Sequence, residues 1–346
     1  MSDPRVQPAP STVLARAYGL PGAVLERLPV GQVTVNYRAR VADTVLFVKQ
    51  YPGGGGDLER ERQAVEQSRL AGLHQVPVAS VRPSTDGQSV VERDGVALSV
   101  WEWVPGAIVD GAFNRAQQRA AGAALGRIHT AFADHPAGRG PSAKLARWLH
   151  PDLGHLDATV GKLLAVAGER ARPDAFDAQA LRTLAERRAV LHHVPALLAG
   201  LPPLTCQVLH GDYSAVNLLF RGDELTAVLD FLPPDPFAVA YELGRIAFDP
   251  RTVVLDQDWI ASGVNLVRAY LETGPRLPAA DVTACARVAL LQLLTSLYGV
   301  KQHYLAPGLL QDDLDRFWLL RHAAAQRLLE RLGEVESALA EAAHRH

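Results

Sequence analysis

The chain has 346 residues, 48% hydrophobic and 21% charged, with 35 Lys and Arg against 37 Asp and Glu and a net charge of −2. That balance excludes a polybasic nucleic-acid or membrane-surface protein, and having only Cys206 and Cys285 excludes a disulfide framework or a cysteine-rich zinc site. About two domains fit this length. Met1-Ser2-Asp3-Pro4 has neither a basic start nor an apolar run, and no stretch holds the ~18 uninterrupted apolar residues of a membrane span, so a cytoplasmic protein without nucleic-acid or membrane partners is expected, monomeric or homodimeric.

The Pro-rich residues 1 to 13 read as loose chain. Val33 to Val41 alternates apolar and polar, and Thr44 to Tyr51 is rich in Val, Leu and Phe, so both read as strands. Gly53 to Gly56 reads as a flexible break, because no Gly-Lys-Ser/Thr follows to make a phosphate loop. Asp57 is placed to cap a helix running to about Leu73. Gln88 to Leu98 carries a hairpin pattern with Arg93-Asp94-Gly95 as its turn. A further strand, Val100 to Val104, ends at Pro105-Gly106. After Gly106 the spacing becomes helical over 115–132, 179–198, 266–271, 281–298 and 312–339. Cys206 to Leu209 is short and apolar, and Leu218 to Phe231 reads as a hairpin turning at Arg221-Gly222-Asp223. A sheet-rich lobe over 1–104 therefore precedes a larger helical lobe over 105–346. A cleft between lobes is a common place for a ligand.

The densest chemistry is His210-Gly211-Asp212, then Asn217, then Asp230 in Val228-Leu229-Asp230-Phe231. Phosphoryl transfer needs a carboxylate that orients the attacking hydroxyl and accepts its proton, plus hard oxygen ligands that hold magnesium against the phosphates. Asp212, Asn217 and Asp230 supply those types, and a hairpin can fold Asp230 back beside the Asp212–Asn217 loop. His210 reads as a brace for the loop. Lys49 shares a strand face with Val45 and Phe47 and needs an anionic partner if that face is inward. Phosphates and a helix glutamate, Glu61 in preference to Glu66, would provide one.

These motifs resemble the aminoglycoside phosphotransferase and choline kinase superfamily over about residues 20 to 305. His210-Gly211-Asp212 with Asn217 resembles its catalytic loop and Val228-Leu229-Asp230-Phe231 its metal motif. Val-Trp-Glu-Trp-Val-Pro-Gly (100–106) resembles the hinge that meets adenine, and Leu125-Gly126-Arg127-Ile128-His129 the helix that follows. Val35-Asn36-Tyr37 and Leu266-Val267-Arg268-Ala269-Tyr270 resemble the homoserine-kinase-like branch. The resemblance implies an α+β, two-lobed protein-kinase-like fold: a small antiparallel sheet lobe with one helix, and a mainly helical catalytic lobe. It implies an ATP- and Mg²⁺-dependent phosphotransferase acting on a small-molecule hydroxyl, of an amino alcohol, amino acid, sugar or aminoglycoside-type antibiotic. Asp212 would be the catalytic base, Asn217 and Asp230 the magnesium ligands, and Lys49 the phosphate contact. The backbones of Glu102 and Val104 would read adenine. Asp235, Glu242, Arg245, Tyr298 and His303 are candidate acceptor contacts. Ser214-Ala215-Val216 and Tyr241-Glu242-Leu243 depart from the runs common in relatives.

Other readings are weaker. A catalytically silent nucleotide-binding module is the alternative, but Lys49, Asp212, Asn217 and Asp230 are all present. No Ala-Pro-Glu-like segment follows Asp230-Phe231, against a protein kinase. A metallohydrolase lacks further well-spaced histidines, since His192-His193 are adjacent rather than four apart.

Overall fold

The computed structural model describes residues 10–29, 34–51, 57–138, 142–308 and 310–345. The first nine residues and the Gly53–Gly56 run lie outside them. Pro10–Tyr18 forms helix α1, where loose chain was expected as far as residue 13. Proline suits a first turn, where its missing N–H costs nothing. Val13, Leu14, Ala17 and Tyr18 share one face and bury against Leu46, Val48, Leu98 and Val100 of the sheet. The small lobe thus carries two helices, not one.

The sheet comprises β1 (Val24–Leu28), β2 (Val35–Val41), β3 (Thr44–Tyr51), β4 (Val81–Arg82), β5 (Val91–Arg93) and β6 (Val96–Glu102). Its order is β1-β2-β3-β6-β4 with β5 also on β6, and each pairing is antiparallel. Asp94 and Gly95 both have positive φ, as a two-residue hairpin turn requires. Helix α2 (Leu58–Leu73) starts at Asp57, whose carboxylate accepts the Arg60 N–H at 3.3 Å. Alternation along β3 sends Leu46 and Val48 toward α1 and leaves Lys49 and Tyr51 on the opposite face. Lys49 lies in register with Asn36 on β2 and Ser99 on β6.

Beyond the sheet the chain is mainly helical. Helices α3 (Arg115–Phe132), α4 (Ala143–Leu149), α5 (Leu153–Gly168), α6 (Ala175–Val190) and α7 (Val194–Ala199) precede β7 (Cys206–Val208), β8 (Leu218–Arg221), β9 (Glu224–Val228) and β10 (Pro236–Ala238). Then come α8 (Val239–Ala247), α9 (Pro250–Leu255), α10 (Trp259–Leu271), α11 (Ala279–Thr295), α12 (Val300–Leu305) and α13 (Gln311–His344), which is kinked at Arg331. The helix expected over 179–198 is broken by a 3-10 turn at Leu191–His193. One core joins α3, α8, α10, α11 and α13 with the short strands. At Gly122 the α3 backbone passes so close to the Leu266 carbonyl of α10 that a β-carbon would collide with it. An 18-residue window within Ala279–Leu305 is apolar enough for a membrane span, but 67% of it is buried inside the protein. Cys206 and Cys285 are free thiols.

The lobes are tied where the Val228 N–H donates to the Pro77 carbonyl at 2.8 Å, and just past the boundary Ala107 exchanges two backbone hydrogen bonds with Phe220, each 2.9 Å.

Candidate active site

The His210–Asp212 turn follows β7. Gly211 has φ +94°, and a β-carbon there would lie 2.7 Å from the Leu232 Cβ, so only glycine fits without displacing that neighbour. His210 is completely buried. Its Nε2–H donates to the Leu229 carbonyl (2.9 Å), while Nδ1 accepts the Asp212 N–H (3.2 Å), a pattern that requires the neutral Nε2–H tautomer. Burial pushes its pKa down, consistent with that state. The His210 carbonyl accepts the Leu232 N–H at 2.9 Å. One residue thereby clamps the loop of Asp212 to the segment of Asp230, as its reading as a brace anticipated.

Glu242, on α8, fastens the turn from the other side. Its Oε1 accepts the N–H groups of Gly211 (2.8 Å) and Tyr213 (3.3 Å), and its Oε2 those of His210 and the His129 ring (both 3.1 Å). Tyr270 Oη lies 2.9 Å from the other nitrogen of that ring. Burial alone would raise the Glu242 carboxyl; the His129 and backbone hydrogen bonds outweigh it and hold the group below its ordinary value. Glu242 was expected to touch the acceptor. With only 2% exposure and both oxygens committed, it is instead a buried strut of the turn.

Four side chains converge here. The Asn217 amide donates from Nδ2 to the Asp212 carbonyl (2.9 Å) and to its Oδ2 (3.0 Å), leaving Oδ1 as the oxygen that can meet a cation. Asn217 is fixed through its own backbone, the Leu229 N–H donating to its carbonyl at 2.8 Å. The expected strand to Phe231 stops at Val228, and Asp230 lies just past it at φ +56°. That left-handed conformation turns the chain out of the ladder; aspartate tolerates it better than most residues, and such strain gathers at functional sites. The Lys49 Nζ lies 3.3 Å from Asp230 Oδ1. The predicted face of Lys49 is therefore correct, and its partner is Asp230. Glu61 lies instead near Tyr51, two residues along β3, whose hydroxyl shares a hydrogen bond with Ser99 at 3.0 Å and whose pKa burial, with the Glu61 charge adding to it, holds above the ordinary value. Asn217 Oδ1 and the exposed Asp230 carboxylate are hard oxygen donors of the kind magnesium prefers.

At the end of β6, the Glu102 N–H donates to the Ser80 carbonyl at 2.8 Å, so an adenine contact from Glu102 would use its carbonyl. Its side chain pairs with Arg82 at 3.2 Å. Val104 is half-buried just after the strand.

The His210–Asp212 turn borders a cavity of about 250 Å³ whose lining includes Arg60, Lys144, Trp148, Asp235, Tyr241 and Arg245. Arg245 Nη1 lies 2.6 Å from Asp212 Oδ1; burial would lower its pKa, but Asp212 more than reverses this. Lys144 pairs with Asp235 at 2.9 Å. Trp148, Phe237 and Tyr241 meet edge to face with centroids 4.8 to 6.0 Å apart. A larger cavity of about 520 Å³ lies between α2 and residues 87–89, away from Asp212, Asn217 and Asp230. Tyr298 is half-buried and not among the cavity lining. His303 belongs elsewhere: it bonds Asp315 at 2.8 Å and joins Asp174, Asp177 and Arg170 among α5, α6, α12 and α13. There the Arg170 guanidinium, within 3.1 Å of Asp174, Asp177 and His303, already supplies the positive charge. His303 is corrected as an acceptor contact: helical periodicity gave its position along the chain, not the face that α12 presents; Tyr298 lies in the turn between α11 and α12.

Sequence reasoning missed Trp148 and Lys144, on a helix that it did not predict, and Arg321 on α13, which is only 7% exposed. The apolar spacing of Leu145, Trp148 and Leu149 was the available signal for the first two.

Residues 24–277 match the model of the phosphotransferase enzyme family (APH), so the chain belongs to that family. No curated protein matches it. Among solved structures it is similar to spectinomycin phosphotransferase APH(9)-Ia in complex with ADP and spectinomycin (13% identity, 92% of this chain and 98% of that one, TM-score 0.63). It is also similar to a microcompartment-associated aminopropanol kinase (19%, 94% and 97%, TM-score 0.58). A third is amicoumacin kinase in complex with AMP-PNP and Ca²⁺ (15%, 92% and 94%, TM-score 0.60). These likenesses establish the two-lobed, protein-kinase-like fold. Family membership makes the chain a phosphotransferase of the small-molecule kinase class.

Proposed function

We propose that the protein transfers the γ-phosphoryl group of ATP to a hydroxyl of a small molecule. Asp212 would orient that hydroxyl and take its proton. Asn217 and Asp230 would hold the magnesium, which neutralises charge on the phosphates when bound. Lys49 would steer the phosphates, with the adenine read from the backbone near Glu102 and Val104. The nucleotide lobe would end near residue 104 and the catalytic lobe begin there. The observation that carries this reading is that the Lys49–Asp230 pair and the Asp212–Asn217 pair, drawn from both lobes, sit on segments that His210 clamps together. The small-molecule kinases among the structural neighbours, acting on spectinomycin and aminopropanol by their names, support the reaction type.

The test is magnesium-dependent ADP release from ATP over a panel of hydroxylated amino acids, amino alcohols, hydroxy acids, sugars and antibiotics. An acceptor that raises ADP release far above background, abolished in Asp212→Ala, supports the assignment. Equal turnover in that variant would sink it.

A further inference from the structure

The cavity beside the catalytic turn carries an imbalance of charge. Among its lining residues Arg60, Lys144 and Arg245 are cationic, and Asp235 and Glu242 anionic. Both Glu242 oxygens are consumed by backbone N–H groups and His129, and Asp235 is neutralised by Lys144. Arg245 is held by Asp212. The exposed Arg60 side chain has no hydrogen bond or ion pair among the described residues. Close to Arg245 and Tyr241, Arg321 is 93% buried by its 7% exposure, and its Nε and Nη2 have no hydrogen-bond partner among the described residues. Burial and then the repulsion of Arg245 draw its pKa down to about 10, so it remains charged at neutral pH. The nearby carboxylate Asp249 is engaged by the Arg251 N–H (2.9 Å) and guanidinium (3.9 Å).

A buried guanidinium without a hydrogen-bonded counter-ion makes its surroundings positive, and low polarisability there strengthens the field. We propose that the acceptor bears an anionic group of the carboxylate class, received by Arg60 and Arg245 in the field of Arg321, with its carbon skeleton against Trp148, Phe237 and Tyr241. This deepens the kinase reading and rests on it for the role of the cavity. The cavity is smaller than the ~300–1,000 Å³ usual for drug-sized ligands, so it suits a compact hydroxy acid better than a polycationic oligosaccharide.

Matched probes test this on the full chain: 3-phenyllactate against its amide, 3-hydroxybutyrate against its amide, and kanamycin as a polycation. Binding is read by thermal shift and titration without nucleotide. At least one acid is expected to bind about tenfold more tightly than its amide, the scale of one charge-assisted hydrogen bond. Arg60→Gln, at an exposed position whose side chain has no partner among the described residues, should erase most of that preference; Arg321→Gln should weaken it and Arg321→Lys restore it. Acids that bind no better than their amides, acids that do not bind at all, stronger binding of kanamycin, or a preference unchanged in both glutamine variants would each overturn the proposal. ADP release measured in parallel separates the two ideas. Turnover of neutral or cationic acceptors without acid preference overturns only the anionic acceptor. Acid binding with no ADP release from any acceptor in a broad panel counts against the kinase reading.

Discussion

Lys49 on the sheet lobe and Asp230 on the helical lobe meet at 3.3 Å, the one bond by which the two predicted phosphate-site charges hold each other. Because Asp230 is 62% exposed at its side chain, that pair contributes at most about 1 kcal/mol to folding. Its value lies in placing two charges where a nucleotide would meet both. Lys49→Ala is expected to leave the melting temperature nearly unchanged while weakening ATP binding by about tenfold or more, the worth of a charge-assisted contact. Calorimetric titration of nucleotide beside a thermal melt checks both halves.

Asp212→Asn keeps the shape of the turn and the Asn217 and Arg245 neighbours but removes the carboxylate that, on the proposed reading, would accept the proton. Turnover is expected to fall by about 10²- to 10⁴-fold with nucleotide affinity retained. Paired ADP-release and nucleotide-binding measurements settle it.

Glu242→Gln offers one carbonyl oxygen and a donating amide to a set of three backbone N–H groups and a His129 ring nitrogen. Breaking so buried an arrangement is expected to cost about 3–5 kcal/mol. Urea unfolding at constant m-value measures the loss, and activity should fall with it because the turn that carries Asp212 loses its strut.

The buried His210 has a lowered pKa in the fold. As pH drops through the ordinary histidine range, about 6.5, the unfolded chain takes up a proton that the folded chain refuses, so stability is full above that range and declines below it. The lowered Glu242 acts in the same direction at more acid pH: its contribution is present above the ordinary carboxylate value and lost as pH falls through its folded value. Melts from pH 8 to pH 5 should show stability dropping below about pH 6.5, and His210→Asn, although less stable overall, should flatten that limb.

Gly122→Ala drives a methyl into the Leu266 carbonyl where α3 crosses α10. Overpacking of this kind is expected to cost about 1–3 kcal/mol, read as a lowered denaturation midpoint.

Much of this was legible because the chemistry sits in short runs. His210, Asp212 and Asn217 lie within eight residues, and strand alternation placed Lys49 on the correct face. The hairpin was enough to predict that Asp230 returns to the loop. Its left-handed turn was not readable, since aspartate occurs equally in ordinary turns. The role of Glu242 was misread because its partners are backbone N–H groups some 29 to 32 positions away and His129 113 away, which no local pattern encodes. Likewise α1 escaped notice because its proline, which opens the helix, looked like a mark of loose chain. The burial of Arg321 depends on how α13 packs on α9 and α11, and a run of arginines along a helix resembles a wetted face until that packing is known.

Adjacent positions of α8 face different tasks: the Glu242 oxygens secure the turn from within, Tyr241 joins the aromatic side of the cavity, and Arg245 reaches from the cavity to Asp212. On the proposed reading, a change at Tyr241, whose side chain makes no hydrogen bond to the turn among the described residues, would retune what is accepted while the turn that carries Asp212 stays intact, so a lineage could switch acceptors by such a substitution without passing through an inactive ancestor.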